Sequence, residues 1–246
     1  MTRRAFLAAA AAGLLMACET PRRDRPLPAP RADPLRLTPQ PAPSARAALP
    51  GGTSRLPLNN GETALVYVPP RPTPALVVAL HGAGGDAASG LELLRAQADR
   101  LGFVLLAPAS AGPTWDAISG GKDLDTPAVQ AALAHVLARH PVEQLAVAGF
   151  SDGASYALTL GLANGDLLTR VVAFSPGFEN ADRRRGRPAF FITHGTRDTV
   201  LPIDRTSRKL VPSLREQGYD VTYREFDGPH VVPPELAAEA AEWALR

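Results

Sequence analysis

Apolar residues cluster in short continuous runs at 64–68, 75–80, 103–107, 145–148, 171–174, 189–193 and 221–226. Runs of four to six residues, rich in Val and bounded by Gly, Pro or charged residues, predict strands buried on both faces. Between several of them the apolar positions take a helical spacing. Leu91, Leu94, Ala98 and Leu101 share one face, as do Val129, Leu133, Val136 and Leu137. Tyr156, Leu160 and Ala163, then Leu210 and Leu214, repeat that spacing, and the chain closes on "PELAAEAAEWALR". Asp125 or Thr126, ahead of Pro127, marks a helix start, since proline fits the first helical turn. Buried strands alternating with helices predict an α/β fold with a mostly parallel central sheet and helices on both faces. In such sheets functional side chains collect at the carboxyl ends of the strands. That directs attention to His81 and Gly82, Ser151, Asp198 and His230, each just after an apolar run.

The first fifty residues lack this pattern. "MTRRAFLAAAAAGLLMACETP" has two arginines, an apolar run over 5–17 and then Cys18, the layout of an export signal and too short for a comfortable membrane span. "TRRAFL" resembles the twin-arginine signal, and "LMAC" resembles a bacterial lipoprotein cleavage box, although Met16 is unusual there. The expectation is a signal over 1–18 with Cys18 as the lipidated anchor, and a membrane-held protein facing the periplasm or exterior. The alternative is a plain secretory signal cut near Ala17 and a soluble product. Residues 19–53, with nine prolines and six arginines in 20–50, read as a disordered linker. The folded domain is expected over 54–246.

Composition narrows the function classes. A chain of 246 residues, 45% hydrophobic, supports one ordinary domain. The net charge of +2 belongs to the N-terminal segment, because residues 51–246 hold 18 basic and 21 acidic residues. A nucleic-acid partner therefore loses its electrostatic support. A single cysteine excludes an intrachain disulfide. No Asp/His/Glu spacing suggests a metal site, and no cofactor is expected.

The strongest motif is Gly149-Phe150-Ser151-Asp152-Gly153, between an apolar strand and an apolar helix. This G-x-S-x-G resembles the nucleophile elbow of the α/β-hydrolase superfamily, where glycines admit a strained turn that exposes a serine hydroxyl. The family's chain order is Ser, then acid, then His. "HGTRDTVLP" supplies Asp198 and "GPHVVPPE" supplies His230, each similar to the corresponding loop of small esterases in the family. The resemblance, covering roughly 60–246, implies Ser151 as nucleophile, His230 as general base and then acid, and Asp198 as the group orienting it. It also implies a small ester substrate. "LHGAGGD" at 80–86 resembles the family's oxyanion loop, which assigns the backbone N–H groups of Ala83 and Asp152 as donors. The chain looks most like the phospholipase/carboxylesterase group, then the polyhydroxybutyrate-depolymerase and feruloyl-esterase-like group.

Competing residues have plainer readings. His81 is a structural member of its loop, and His135 and His140 belong to a helix and its end. His194 is expected to make structural hydrogen bonds, Asp204 to begin a helix and Asp227 to turn with Gly228. Trp115, in the Gly/Pro/Ser-rich segment 108–124, is either a wall of the substrate pocket or a pin holding that loop to the core. Segment 176–188, where many lipases of this fold carry a lid, is short and polar, so no large lid is expected, and "RRR" at 183–185 reads as solvated surface. The protein reads as a monomer. The alternatives to an ester hydrolase are a thioesterase or peptidase on the same residues, or a noncatalytic binding lipoprotein that keeps the fold.

Overall fold

The apolar runs pair into one sheet of eight strands. These are β1 (Gly52–Pro57), β2 (Thr63–Val68), β3 (Ala75–Leu80), β4 (Val104–Ala107), β5 (Gln144–Phe150), β6 (Arg170–Phe174), β7 (Ala189–Gly195) and β8 (Val221–Phe226). The structure is a computed structural model describing residues 33–39, 47–116 and 124–246. Spatial order is β1-β2-β4-β3-β5-β6-β7-β8; β1 with β2 and β2 with β4 are antiparallel, and every later pair is parallel. The helices are α1 (Ala87–Glu92), α2 (Arg95–Leu101), α3 (Asp125–Leu137), α4 (Asp152–Ala163), α5 (Ser207–Glu216) and α6 (Pro234–Ala244). This is the α/β-hydrolase fold, with its mostly parallel sheet and helices on both faces.

The continuous apolar character of β3 follows from this arrangement. All six of its residues are buried, and alternate ones face opposite layers. Leu76, Val78 and Leu80 pack with α3, α4 and α5, whereas Ala75, Val77 and Ala79 pack with α1, α2 and α6. β1, absent from the sequence reading, is an edge strand of alternating half-buried and exposed residues, which leaves little hydrophobic signal. The helical run at 87–101 is two helices, broken at Leu93 and Leu94.

Part of the expected linker behaves differently from its composition. Leu35 and Leu37 are buried against the layer of α3, α4 and α5. Asn164, capping α4, donates its amide to the Leu35 carbonyl and accepts from the Leu37 N–H, each at 2.7 Å. Arg36 pairs with Asp166 at 2.6 Å and Arg185 with Asp33 at 2.5 Å, so one arginine of the 183–185 run is a clamp and not simple surface. A turn closed by the Arg36 N–H on the Asp33 carbonyl sets the segment against the domain, and burying two leucines contributes about 1.5–3 kcal/mol each. Prolines do not prevent this, because the Asn164 amide meets the segment's backbone polar groups. Residues 1–32, over which the export signal is expected, with Arg3, Arg4 and Cys18, lie outside the described residues. No helix among the described residues is long and apolar enough to cross a membrane.

Candidate active site

Ser151 joins the end of β5 to the start of α4 with φ 57° and ψ −118°. A non-glycine residue held there costs about 1–3 kcal/mol. The turn is held by the Ser151 N–H donating to the Phe174 carbonyl at 2.9 Å and by the Ser151 carbonyl accepting from Ala154 and Ser155. The flanking glycines answer close approach. A Cβ on Gly149 would lie 2.1 Å from the Gly153 carbonyl oxygen, and one on Gly153 would lie 2.3 Å from that of Leu80. Gly153→Ala is therefore expected to destabilise the fold by about 3 kcal/mol, the upper range for overpacking. Urea unfolding measures this, and an unchanged midpoint would contradict the packing of α4 on β3.

The acid and the imidazole meet across two loops. Asp198 follows β7, and His230 lies in the bend after β8. Backbone bonds tie the loops together, Thr196 N–H to the Phe226 carbonyl at 2.8 Å and Arg197 N–H to the Gly228 carbonyl at 3.0 Å. His230 Nδ1 stands 2.5 Å from Asp198 Oδ2, while Asp198 Oδ1 accepts from the Val200 and Leu201 N–H groups at 2.9 and 2.8 Å. Burial by itself would raise the Asp198 pKa. The Leu201 N–H, the hydrogen bond and charge of His230 and the Val200 N–H outweigh it and hold the carboxyl below its ordinary 3.8. Stability from this ionised group is thus present above pH 3.8 and lost as pH falls below it. The His230 ring lies 4.7 Å from the ring of Phe150, the residue before Ser151. The turn and the acid–imidazole pair therefore share one corner of the sheet edge.

The competing groups are engaged elsewhere. Asp204 sits in a 3-10 turn ahead of α5, exposed and paired with Arg208, and Asp227 is exposed and paired with Arg197. His140 Nε2 donates to the Thr73 carbonyl at 2.9 Å, at the amino-terminal end of β3 and far along the strand from the site. His81 has both ring nitrogens bound. Ser110 N–H donates to Nε2 at 3.1 Å, so the proton is on Nδ1 and goes to the Gly82 carbonyl at 2.8 Å.

Small residues let the 82–85 loop lie against the elbow, where a Cβ on Gly82 would be 3.3 Å from the Ser151 Cβ. Gly84 N–H and Gly85 N–H are taken by the carbonyls of Pro113 and Gly82, whereas Ala83 N–H has no backbone acceptor among the described residues. Asp152 opens α4, so its N–H has no carbonyl one turn behind it within the helix. Its side chain accepts from Thr114 Oγ1 at 2.6 Å. Two N–H groups beside a serine hydroxyl can bind an oxyanion.

Trp115 is a pin, and the pocket-wall alternative fails. The indole is fully buried, stacks on Tyr156 at 4.9 Å and donates Nε1–H to the His81 carbonyl at 2.9 Å, so it has no face for substrate. Asp125 completes the support. Its Oδ1 accepts from Ala111 N–H and the Asn60 amide, and its Oδ2 from Asp116 N–H. Burial, with the nearby charge of Asp116, raises the Asp125 pKa. Sequence reasoning placed Asp125 at a helix start but missed this loop-holding role and those of Thr114 and Asn60. The Pro-Thr-Trp-Asp run was the available signal. Residues 117–123 of that segment lie outside the described residues. In the 176–188 segment, Gly177 and Asn180 donate their N–H groups to Ser155 and Thr159 of α4, which pins its first part beside the site. No group of three or more His, Cys, Asp or Glu able to hold a metal occurs among the described residues.

No family model matches the chain, and no curated protein matches it. Solved structures of similar fold include esterase PE8, at 22% identity and a TM-score of 0.60, covering 78% of this chain and 96% of that one. A carboxylesterase from Mesorhizobium loti is 17% identical with a TM-score of 0.63, covering 79% and 99%. Zea mays acyl-protein thioesterase 2 is 23% identical with a TM-score of 0.57, covering 75% and 98%.

Proposed function

We propose that the chain is a serine hydrolase that cleaves carboxylic esters through an acyl-enzyme, with Ser151 as nucleophile, His230 as base and acid, and Asp198 as the orienting carboxylate. The observation that carries this reading is the strained, glycine-flanked Ser151 turn beside a His230–Asp198 pair at 2.5 Å. Similarity in fold to esterases supports it. His230 Nε2 takes the Ser151 proton as Oγ bonds to the ester carbon, and the carbonyl oxygen gains charge toward Ala83 N–H and Asp152 N–H. Collapse breaks the ester bond, His230 protonates the departing alcohol, and water repeats the sequence to free the acid. The large exposed apolar side chains Leu124, Phe178, Val200 and Val231 all stand on loops at this edge of the sheet, which favours an apolar acyl group. A panel of p-nitrophenyl esters of rising chain length, combined with labelling by a fluorophosphonate, tests both parts. Labelling of a residue other than Ser151, or no turnover of any ester, would defeat the reading.

Location belongs to the same proposal. Twin-arginine export through Arg3 and Arg4, followed by lipidation of Cys18, would hold the enzyme at a membrane surface. Residues 18 to 33 span at most about 50 Å when extended, and the clamp at 33–38 fixes where that tether meets the domain. Cys18→Ala is expected to move the protein out of the membrane fraction or block its processing, while ester turnover per folded molecule stays the same. Wild-type protein recovered wholly soluble, with no lipid mass on its N-terminus, would leave a secreted enzyme.

A further inference from the structure

We infer that His194 is a positioning residue for the acid of the site: its Nε2–H, kept in that tautomer by Ser207, holds Asp198 in the orientation that His230 requires. The inference rests on the serine-hydrolase reading and adds a residue to it.

His194 is fully buried on β7, four residues before Asp198. Its Nε2 is 2.8 Å from the Leu201 carbonyl oxygen and 3.2 Å from Asp198 Oδ2. A carbonyl and a carboxylate only accept, so Nε2 carries the proton. Burial, the largest influence, holds the imidazole below its ordinary 6.5, so at neutral pH the ring is uncharged and Nδ1 presents a lone pair. Ser207 Oγ, 2.7 Å from Nδ1, must then be the donor. The other tautomer would aim a lone pair at two acceptors, losing the bond to Leu201 and repelling the carboxylate.

Both carboxylate oxygens are thereby held. Oδ1 takes two backbone N–H groups, one of them from Leu201, and Oδ2 meets the His230 ring at 2.5 Å with His194 Nε2 3.2 Å away. His194 also grips the Leu201 carbonyl, so the acid and the far side of its loop are held by one ring. The groups facing His194 are Asp198, Ser207 and, in register on β8, Glu225, with His230 beyond Asp198. Glu225 is bound by Arg208 at 2.6 Å, and Arg208 also holds Asp204. That leaves Asp198 as the carboxylate His194 serves.

The test compares His194→Gln and His194→Phe in the full chain. A glutamine amide can place an N–H where Nε2–H stands, and phenylalanine fills the space without a donor. The readout is the rate of fluorophosphonate attachment to Ser151 across pH, followed by intact mass. His194→Phe is expected to lower the plateau about 10- to 100-fold, the equivalent of one hydrogen bond to a charged group. It should also move the rising limb to higher pH, because a carboxylate relieved of one donor holds the proton on His230 more strongly. His194→Gln is expected to restore both. A phenylalanine variant with the wild-type plateau and limb, or a glutamine variant as slow as phenylalanine, overturns the inference. Should His194→Phe not fold, 15N shifts of the wild-type ring decide, with protonated Nε2 and bare Nδ1 expected from pH 7 to 9. The opposite tautomer refutes the role. Failure of the wild type to label at Ser151 would count against the hydrolase reading, and the ring spectrum would still judge His194.

Discussion

Ser151→Ala is expected to remove ester hydrolysis, by up to about 10⁶ in turnover, with little change in stability. The turn that holds residue 151 is built from backbone groups, its own N–H and carbonyl, and from two glycines whose missing side chains admit α4. None of that depends on Oγ. Alanine keeps the fold and the φ of 57° but offers no atom to attack the ester carbon. Ser151→Gly separates chemistry from strain. It should be as inactive, yet more stable than the alanine variant by about 1 kcal/mol, since glycine adopts positive φ freely. Turnover with a p-nitrophenyl ester and thermal unfolding of the three proteins measure both quantities. An alanine variant retaining a tenth of the activity would remove Ser151 from the mechanism.

Asp198→Asn is the second large effect, a loss of about 10⁴ in turnover, as expected when an amide imposes the wrong imidazole tautomer. Here the surroundings decide which way the amide sits. The Val200 and Leu201 N–H groups point at Oδ1, so the amide oxygen is held there and the NH₂ is turned toward His230. His230 Nδ1 then becomes an acceptor, the ring proton moves to Nε2, and no lone pair faces Ser151. Asp204→Asn and Asp227→Asn should keep most activity, because both carboxylates are exposed and paired with surface arginines. If Asp204→Asn were the inactive protein, the acid would have been assigned to the wrong loop.

The clamp at 33–38 and the pin at Trp115 have the same origin. Along the chain the first looks like linker with nothing to pack against, and the second leaves pocket wall and core pin equally open. Each is held by a partner distant in sequence, Asn164 for Leu35 and Leu37, and His81 and Tyr156 for Trp115. A proline-rich composition reports the local cost of ordering a segment. It carries no information about a groove that two leucines can enter.

What the sequence by itself determined is the part governed by local periodicity and local steric demand. Val77 and its neighbours read as a strand buried on both faces because every residue of β3 is apolar, and Ser151 reads as a strained turn because glycines stand two residues to either side. The linear order of Ser151, Asp198 and His230 at strand ends was legible for the same reason. The tertiary structure alone decided the pairings: β4 inserted between β2 and β3, Asp198 between two histidines, and Thr114 and Asp125 supporting the loops around the elbow. Most of those contacts join residues far apart along the chain, and all of them use side chains whose identity allows many partners. Only the closing of the sheet brings the right ones within hydrogen-bonding distance.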